Sequence, residues 1–128
     1  MTAIEKILKY VKENYGSEPE YLWKKFPKYA VLRNKRNSKW YGILMNIPIK
    51  KLGIESDKNI DILNIKCDPI MIGSLIDNKR YFPAYHMNKE HWITLFIDKI
   101  PQKEIFGLID LSFEIVKNKN KHKKKLLL

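Results

Sequence analysis

The segment that most constrains the fold is 29–47, where two strand-like runs flank a short polar turn. Val31 and Leu32 precede the turn Asn34–Ser38. This pattern predicts a β-hairpin of strands 29–34 and 39–47, and a link this short favours an antiparallel sheet. Apolar side chains recur at every second position of the second strand and are therefore expected on one face. They are Tyr41, Ile43, Met45 and Ile47.

Capping residues and prolines predict the boundaries of the other helices and strands. Thr2 with Glu5 three residues later has the pattern of a capping box, and Gly16 is typical of a helix end, so a first helix is predicted over 2–15. Asp68 followed by a proline is typical of a helix start. The remaining predicted elements are a strand Asn59–Lys66, a short helix after Asp68, strands Tyr81–Tyr85 and Trp92–Ile97, and a helix from Pro101 to Val116.

This order of elements, with helices separated from strands, predicts an α+β fold of two layers. The arrangement is α-β(3)-α-β(2)-α with an antiparallel five-stranded sheet. The loop 17–28, which precedes the hairpin, carries Tyr21, Trp23 and Phe26. These rings are expected to pack under the domain as a satellite cluster.

The 128 residues fit one domain, which is predicted over 1–116. Residues 117–128 have no core-forming periodicity and are predicted to be a disordered, lysine-rich tail. No apolar run approaches the roughly 20 residues of a membrane-spanning helix, and no apolar signal segment opens the chain. Cys67 is the only cysteine and cannot form an internal disulfide, so a cytoplasmic protein is expected.

The net charge of +11 is concentrated in two blocks. Residues 21–54 carry nine basic residues and no acidic one, and residues 117–128 carry six lysines and no acidic residue. The segments 1–20 and 55–116 hold slightly more acidic than basic residues. Charge blocks of this kind attract polyanions, so the sequence favours a partner rich in phosphate.

Four segments carry a similarity to known proteins that runs from about Pro27 to Val116: Lys39–Tyr41, Leu63–Pro69, Pro83–Trp92 and Asp110–Phe113. In these segments the chain resembles the MmcQ/YjbR family of small bacterial proteins. The resemblance implies an α-β(3)-α-β(2)-α fold related to type III secretion chaperones and to the frataxin-like CyaY. The family is commonly described as DNA-binding, and the resemblance brings no set of catalytic residues with it.

The segment 86–92 concentrates polar chemistry, with two histidines, a lysine and an asparagine before Trp92. As a metal site it would use His86 and His91, with Cys67 or Glu90, but the tight ligand pairs of structural zinc sites are absent. As a catalytic dyad it would pair Cys67 with a histidine, but no glycine-rich oxyanion turn accompanies them. No catalytic residue, metal or cofactor is therefore predicted.

The leading hypothesis is a non-enzymatic DNA-binding protein with little sequence preference, which binds duplex DNA through the basic hairpin. We expect phosphate contacts from Arg33, Lys35, Arg36 and Lys39, with Lys89 and Trp40 beside them. For the basic hairpin, a merely solvated charged face is an equal alternative. For the histidines and Trp92, a role in packing and turns is favoured over a contact with nucleic acid.

Two other classes remain open. One is a protein-binding module with an exposed sheet edge or an apolar groove, in a homodimer, as the chaperone-like fold suggests. The other is an enzyme or small-ligand binder that uses His86, Lys89, His91 and Cys67 around a pocket. The second requires those side chains to converge on one cleft.

Overall fold

A computed structural model describes the backbone of residues 1–127 and the side chains of residues 1–117. The elements, in chain order, are α1 (Ala3–Tyr15), β1 (Ala30–Arg33), β2 (Trp40–Pro48), β3 (Asn59–Lys66), α2 (Pro69–Leu75), β4 (Tyr81–Pro83), β5 (Trp92–Phe96) and α3 (Gln102–Leu127). Single 3₁₀ turns follow β2 at Ile49–Leu52 and β5 at Ile97–Lys99. This order confirms the predicted α+β fold, although β4 is two residues shorter than predicted.

The predicted helix boundaries have the expected caps. The Thr2 side chain accepts a hydrogen bond from the Glu5 amide, and the Glu5 carboxylate accepts one from the Thr2 amide, each at 3.1 Å. Gly16 ends α1 in the left-handed conformation, with φ of 66°. Asp68 caps α2 through the Ile70 amide at 2.9 Å, and Pro69 occupies the first turn.

The five strands form one antiparallel sheet in the order β1-β2-β3-β5-β4. All three helices pack on one face of it. Their apolar stripes meet Leu44, Leu63 and Leu95 there, in what we call the helix-side core. The opposite face carries a second cluster, the loop-side core, around Ile43, Ile62 and Phe96. The predicted satellite role of the 17–28 loop is confirmed for Trp23, which packs against this second core, whereas Tyr21 and Phe26 are about half exposed.

One prediction about the hairpin is wrong. Simple alternation places Tyr41 on one face with Ile43, Met45 and Ile47, but Tyr41 lies in the helix-side core, whereas those three lie in the loop-side core. The cause is a β-bulge: Leu32 pairs with Gly42 and Arg33 pairs with Trp40, so Tyr41 is the extra residue of β2. The bulge turns the Tyr41 side chain to the face that alternation excludes.

The Ser112 side chain on α3 binds backbone groups of two strands next to this irregularity. The Lys66 amide donates to Ser112 Oγ at 2.9 Å, and Ser112 Oγ donates to the Tyr41 carbonyl at 2.6 Å. Ser112 is fully buried. One hydroxyl therefore joins α3 to both β2 and β3.

The last helix extends further than predicted, because its backbone runs to Leu127. The side chains after Lys117 and the whole of Leu128 lie outside the described residues. The disordered, lysine-rich tail at 117–128 therefore stays a prediction. Among the described residues, no helix is both long and apolar enough to cross a membrane.

Candidate nucleic-acid interface

The tip of the β1–β2 hairpin is a turn held by two asparagine side chains. The buried Asn34 accepts a hydrogen bond from the Arg36 amide at 2.8 Å, and Asn37 accepts one from the Lys39 amide at 3.0 Å. Backbone bonds from Asn34 to Lys39 and from Ser38 to Asn34 close the turn. Asparagine side chains commonly hold a turn in this way, which fixes the backbone from which the basic side chains project.

The turn is also fixed to two helices. The Asn37 amide group donates to the Val116 carbonyl of α3 at 3.0 Å. The Lys35 side chain lies over Gly16 at the end of α1, with Nζ 3.5 Å from the position that a Cβ would occupy on that glycine. A lysine near a helix C-terminus is favoured by the partial negative charge of the last carbonyls.

Three of the predicted contact residues lie on this turn with accessible charge. Lys35 and Arg36 are exposed, and Lys39 is half-buried. No acidic side chain occurs between positions 21 and 54, so none comes from the hairpin itself. The structure therefore brings together Lys35, Arg36 and Lys39, which we call the basic tip.

Arg33 is placed differently from the other predicted contacts. Its Nε lies 2.8 Å from Glu20 Oε2, and its Nη1 donates to the Ser38 carbonyl at 3.3 Å. Its guanidinium carbon lies 5.5 Å from the centre of the Trp40 ring. Arg33 and Trp40 thus stabilise the base of the hairpin, and the Arg33 charge is already matched by a carboxylate.

Lys89 lies in a separate loop, at 84–91, and its ammonium is also engaged. The Lys89 Nζ donates to the Ala84 carbonyl at 3.0 Å and so closes this loop on itself. Asn88 shapes the same turn by accepting from the Glu90 amide at 2.8 Å and from the Trp92 amide at 3.0 Å. The Lys89 side chain is exposed, but its charge is held near the protein surface rather than extended from it.

A buried polar network that sequence reasoning missed fixes this loop to the sheet. Asn64 on β3 is fully buried and donates to the Tyr85 carbonyl at 2.9 Å. The Thr94 hydroxyl donates to the Asn64 side-chain carbonyl and accepts from the Tyr85 amide. The signal in the sequence was an asparagine within the apolar run of β3, because buried polar groups are nearly always hydrogen-bonded.

The candidate catalytic residues divide between the core and the surface. Cys67 is buried, and burial together with the nearby Asp68 raises the pKa of its thiol, so the thiolate is disfavoured. His86 is exposed and its ring stacks on Tyr85, whereas His91 is exposed in the loop just before β5. Among residues 1–117, no three histidine, cysteine or carboxylate side chains are grouped so as to hold a metal ion.

Strand register places the basic tip and the 84–91 loop at one end of the sheet. Gly42 pairs with Ile65, Lys66 with Trp92, and Pro83 with Ile93, so the tip of β1–β2 and the loop after β4 both lie beyond the same strand ends. Strand β3 lies between the β1–β2 hairpin and the β4–β5 pair that this loop connects. The tip and the loop therefore lie at the same end of the sheet, on either side of β3.

Comparison with known proteins shows where this architecture belongs. The sequence matches the family model named YjbR over residues 13–115. The chain belongs to the YjbR family. This confirms the resemblance drawn from the hairpin, the 63–69 segment and the 83–92 segment.

A relative and two solved structures extend the comparison. The uncharacterized protein YyaQ of Bacillus subtilis (strain 168) is 46% identical over 118 residues, which cover 91% of this chain and all of YyaQ. A crystal structure of a Pseudomonas syringae protein, 44% identical, superposes with a TM-score of 0.83 over 87% of this chain and 96% of that one. A Deinococcus radiodurans protein, only 22% identical, superposes with a TM-score of 0.70 over 98% and 88%, and so shares the fold.

Proposed function

We propose that this YjbR-family protein is a cytoplasmic, non-enzymatic DNA-binding protein that contacts duplex phosphates through the basic tip. The observation that carries the proposal is the anchored turn, on which Lys35 and Arg36 are exposed, in a segment with no acidic residue. Ammonium and guanidinium groups on a fixed backbone can bind phosphate oxygens. Contacts to phosphate do not by themselves distinguish one base sequence from another.

The place of the tip on the fold supports a longer contact. Asn37 binds the carbonyl of Val116, and the lysine-rich segment of the sequence begins at the next residue, Lys117. The second block of positive charge in the sequence therefore begins beside the first, at Lys117. A phosphate backbone lying along the tip would pass Lys117 as well, and each neutralised phosphate would add to affinity and to its dependence on salt.

The structure also narrows the predicted contact set. Arg33 is paired with Glu20, so it would position the hairpin rather than bind phosphate. Trp40 lies against Arg33 and Trp23, where it supports the base of the hairpin. Lys39 and Lys89 would make secondary contacts, because the first is half-buried and the second is hydrogen-bonded to Ala84.

The test is a double charge reversal on the tip, Lys35→Glu with Arg36→Glu. Its matched control is Lys51→Glu with Lys58→Glu, which makes the same change in net charge next to the other end of β2 and β3. Fluorescence polarisation with a labelled duplex should show affinity falling about tenfold or more for the tip variant. The slope of log affinity against log salt should become shallower by roughly 0.9 for each phosphate that the variant no longer neutralises.

Two results would contradict this proposal. One is an equal fall in affinity in the tip variant and its control, which would mean that only net charge matters. The other is the absence of duplex binding by the wild-type protein even at low salt. A chain shortened after Lys117 separates the contribution of the tip from that of the lysine-rich segment, and several unrelated duplexes should bind about equally.

A further inference from the structure

The loop that precedes β1 carries an exposed aromatic surface that the duplex proposal does not use. Phe26, Tyr21 and Leu22 are 48%, 55% and 47% exposed, although aromatic and aliphatic side chains of this size are usually buried. The loop lies on the face of the sheet opposite the helices, where Trp23 and Tyr29 pack against the loop-side core. Contiguous exposed apolar surface marks binding sites in other proteins, and these three side chains belong to one short loop.

The loop is held firmly in place. Glu20 and Val31 exchange two backbone hydrogen bonds, of 3.0 and 2.9 Å, which fasten the start of the loop to the edge of β1. The Phe26 amide then donates to the Trp23 carbonyl at 3.3 Å, and the Tyr29 amide donates to the Phe26 carbonyl at 3.1 Å. The exposed rings are therefore presented on an ordered backbone, which lowers the entropic cost when a ligand binds.

The rings form a short stack with an accessible end. Phe26 lies parallel to Tyr29, with ring centres 4.6 Å apart and planes 7° apart. Tyr29 and Trp40 each meet Trp23 edge to face at 6.1 Å, so the stack continues into the base of the basic hairpin. Phe26 is half exposed, so part of its side chain is open to contact with a further planar ring.

The charged residues of the segment that carries the stack are all positive. Lys24, Lys25 and Lys28 flank Phe26, and all three are exposed. The nearest acidic residue in the chain, Glu20, is paired with Arg33. A planar ring beside phosphates is the chemistry of a nucleotide. Unpaired bases can stack on an aromatic side chain, whereas the interior bases of a duplex are already stacked on each other.

From this geometry we propose that the loop Glu20–Tyr29 is a binding site for unpaired nucleotides, with Phe26 as the stacking ring and the three lysines as phosphate contacts. The inference rests on the proposed function and deepens it, because it names the form of nucleic acid that this second surface takes. A single strand, or the unpaired arm of a branched duplex, would lie on the loop while duplex phosphates contact the basic tip.

The test measures polarisation of a labelled oligothymidylate of about 12 nucleotides, within the usual site size of a single-strand surface. The matched probe is an abasic deoxyribose-phosphate oligomer of the same length and charge. Phe26→Leu should weaken oligothymidylate binding roughly five- to 100-fold and leave the abasic oligomer and a duplex within about twofold, because only stacking is removed. Phe26→Tyr, which keeps an aromatic ring, should bind oligothymidylate about as tightly as the wild type.

Leu22→Ala separates stacking from general apolar contact on the same loop. A stacking site predicts almost unchanged oligothymidylate affinity in this variant, whereas binding through general apolar contact predicts a fall in that affinity as large as the fall for Phe26→Leu. Binding of the wild-type protein to phosphatidylserine vesicles but not to oligothymidylate would overturn the inference.

The two proposals fail in different ways. If Phe26→Leu binds oligothymidylate as tightly as the wild type, and the tip variant still shows weaker duplex binding, the stacking site is wrong and the proposed function stands. If the wild-type protein binds neither probe at low salt, both are wrong.

Discussion

At the scale of single residues, Ser112 has a structural role that the periodicity of α3 does not reveal. Helical spacing places it correctly on the buried stripe of the last helix, because it falls in step with Ile105, Leu108 and Ile109. The bulge at Tyr41 explains why a hydroxyl stands there, since Ser112 receives the Lys66 amide and donates to the Tyr41 carbonyl. A bulge depends on the pairing of two strands, so the sequence pattern of one strand could not predict it.

We therefore predict that Ser112→Ala lowers the free energy of unfolding by about 2–4 kcal/mol, since two backbone groups would no longer bond to the hydroxyl, at roughly 1–3 kcal/mol each. Urea denaturation measures the change. The control is Ser74→Ala, because that exposed hydroxyl donates to the Met71 carbonyl within one helical turn. The control should change stability by less than about 0.5 kcal/mol. Equal effects in the two variants would contradict the bridging role.

At the scale of elements, local signals predicted the boundaries well wherever a cap or a proline marks them. The strand Asn59–Lys66 was predicted with its observed bounds, and both predicted caps, at Thr2 and Asp68, are present. What local signals could not show is how elements far apart in sequence meet. The contact of α1 with α3 is such a case.

One carboxylate joins those two helices. The Tyr10 hydroxyl donates to Asp110 at 2.8 and 2.9 Å, and the Tyr15 hydroxyl also donates to it. The Tyr10 ring stacks on Phe106 at 4.0 Å, and the Tyr15 ring stacks on Phe113 at 3.9 Å. Asp110 thus fixes two rings of α1 against α3, and hydrogen bonds to an ionised acceptor are stronger than neutral ones.

Asp110→Asn should lower the free energy of unfolding by about 1.5–3 kcal/mol, because charge-assisted hydrogen bonds become neutral ones and the amide group turns a donor toward donors. The matched control is Glu114→Gln, four residues on, which removes the charge of a surface carboxylate paired with Lys117. That control should cost less than about 1 kcal/mol. Thermal and urea unfolding of both variants give the comparison. An Asp110→Asn variant as stable as the wild type would show that ring stacking alone joins the helices.

At the scale of the whole molecule, the candidate interface is a product of sheet topology. Composition and spacing predict that basic side chains of the hairpin contact phosphates, and three of these side chains share an exposed turn. The pairing of Arg33 with Glu20 and the internal bond of Lys89 could not be predicted, because each depends on where a distant or folded-back segment lies. The same holds for the stack of Phe26 on Tyr29, which exists only because the loop folds over the sheet.

The same packing makes the stability of the whole fold sensitive to alkaline pH. Burial raises the pKa of Tyr41 to about 12, and burial with the hydrogen bond to Asp110 raises the pKa of Tyr10 to about 12. Burial also raises the pKa of Tyr15 and Tyr81, whose hydroxyls donate to Asp110 and Glu104. In each case the folded state disfavours the ionised form relative to an unfolded tyrosine of pKa 10.0.

It follows that these groups contribute their full stabilisation below a pH of about 10, and that the contribution falls as the pH rises from about 10 to about 12. Over that range the unfolded chain loses protons that the folded protein retains, so the free energy of unfolding decreases. Urea denaturation at a series of pH values, with tyrosinate absorbance as a second signal, should show this decline together with late ionisation of the buried rings. Tyr41→Phe is the informative variant, because the Tyr41 ring is fully buried and its hydroxyl donates to Ser17 at 2.6 Å.

The variant should be less stable than the wild type near neutral pH, since Ser17 loses a hydrogen bond, but its decline above a pH of about 10 should be shallower by the contribution of one tyrosine. Lysines also lose their charge in this range, and that effect is common to both proteins, so the difference between the two curves isolates Tyr41. Parallel curves would mean that the hydroxyl ionises as readily in the folded state as in the unfolded chain, which its burial in the helix-side core contradicts.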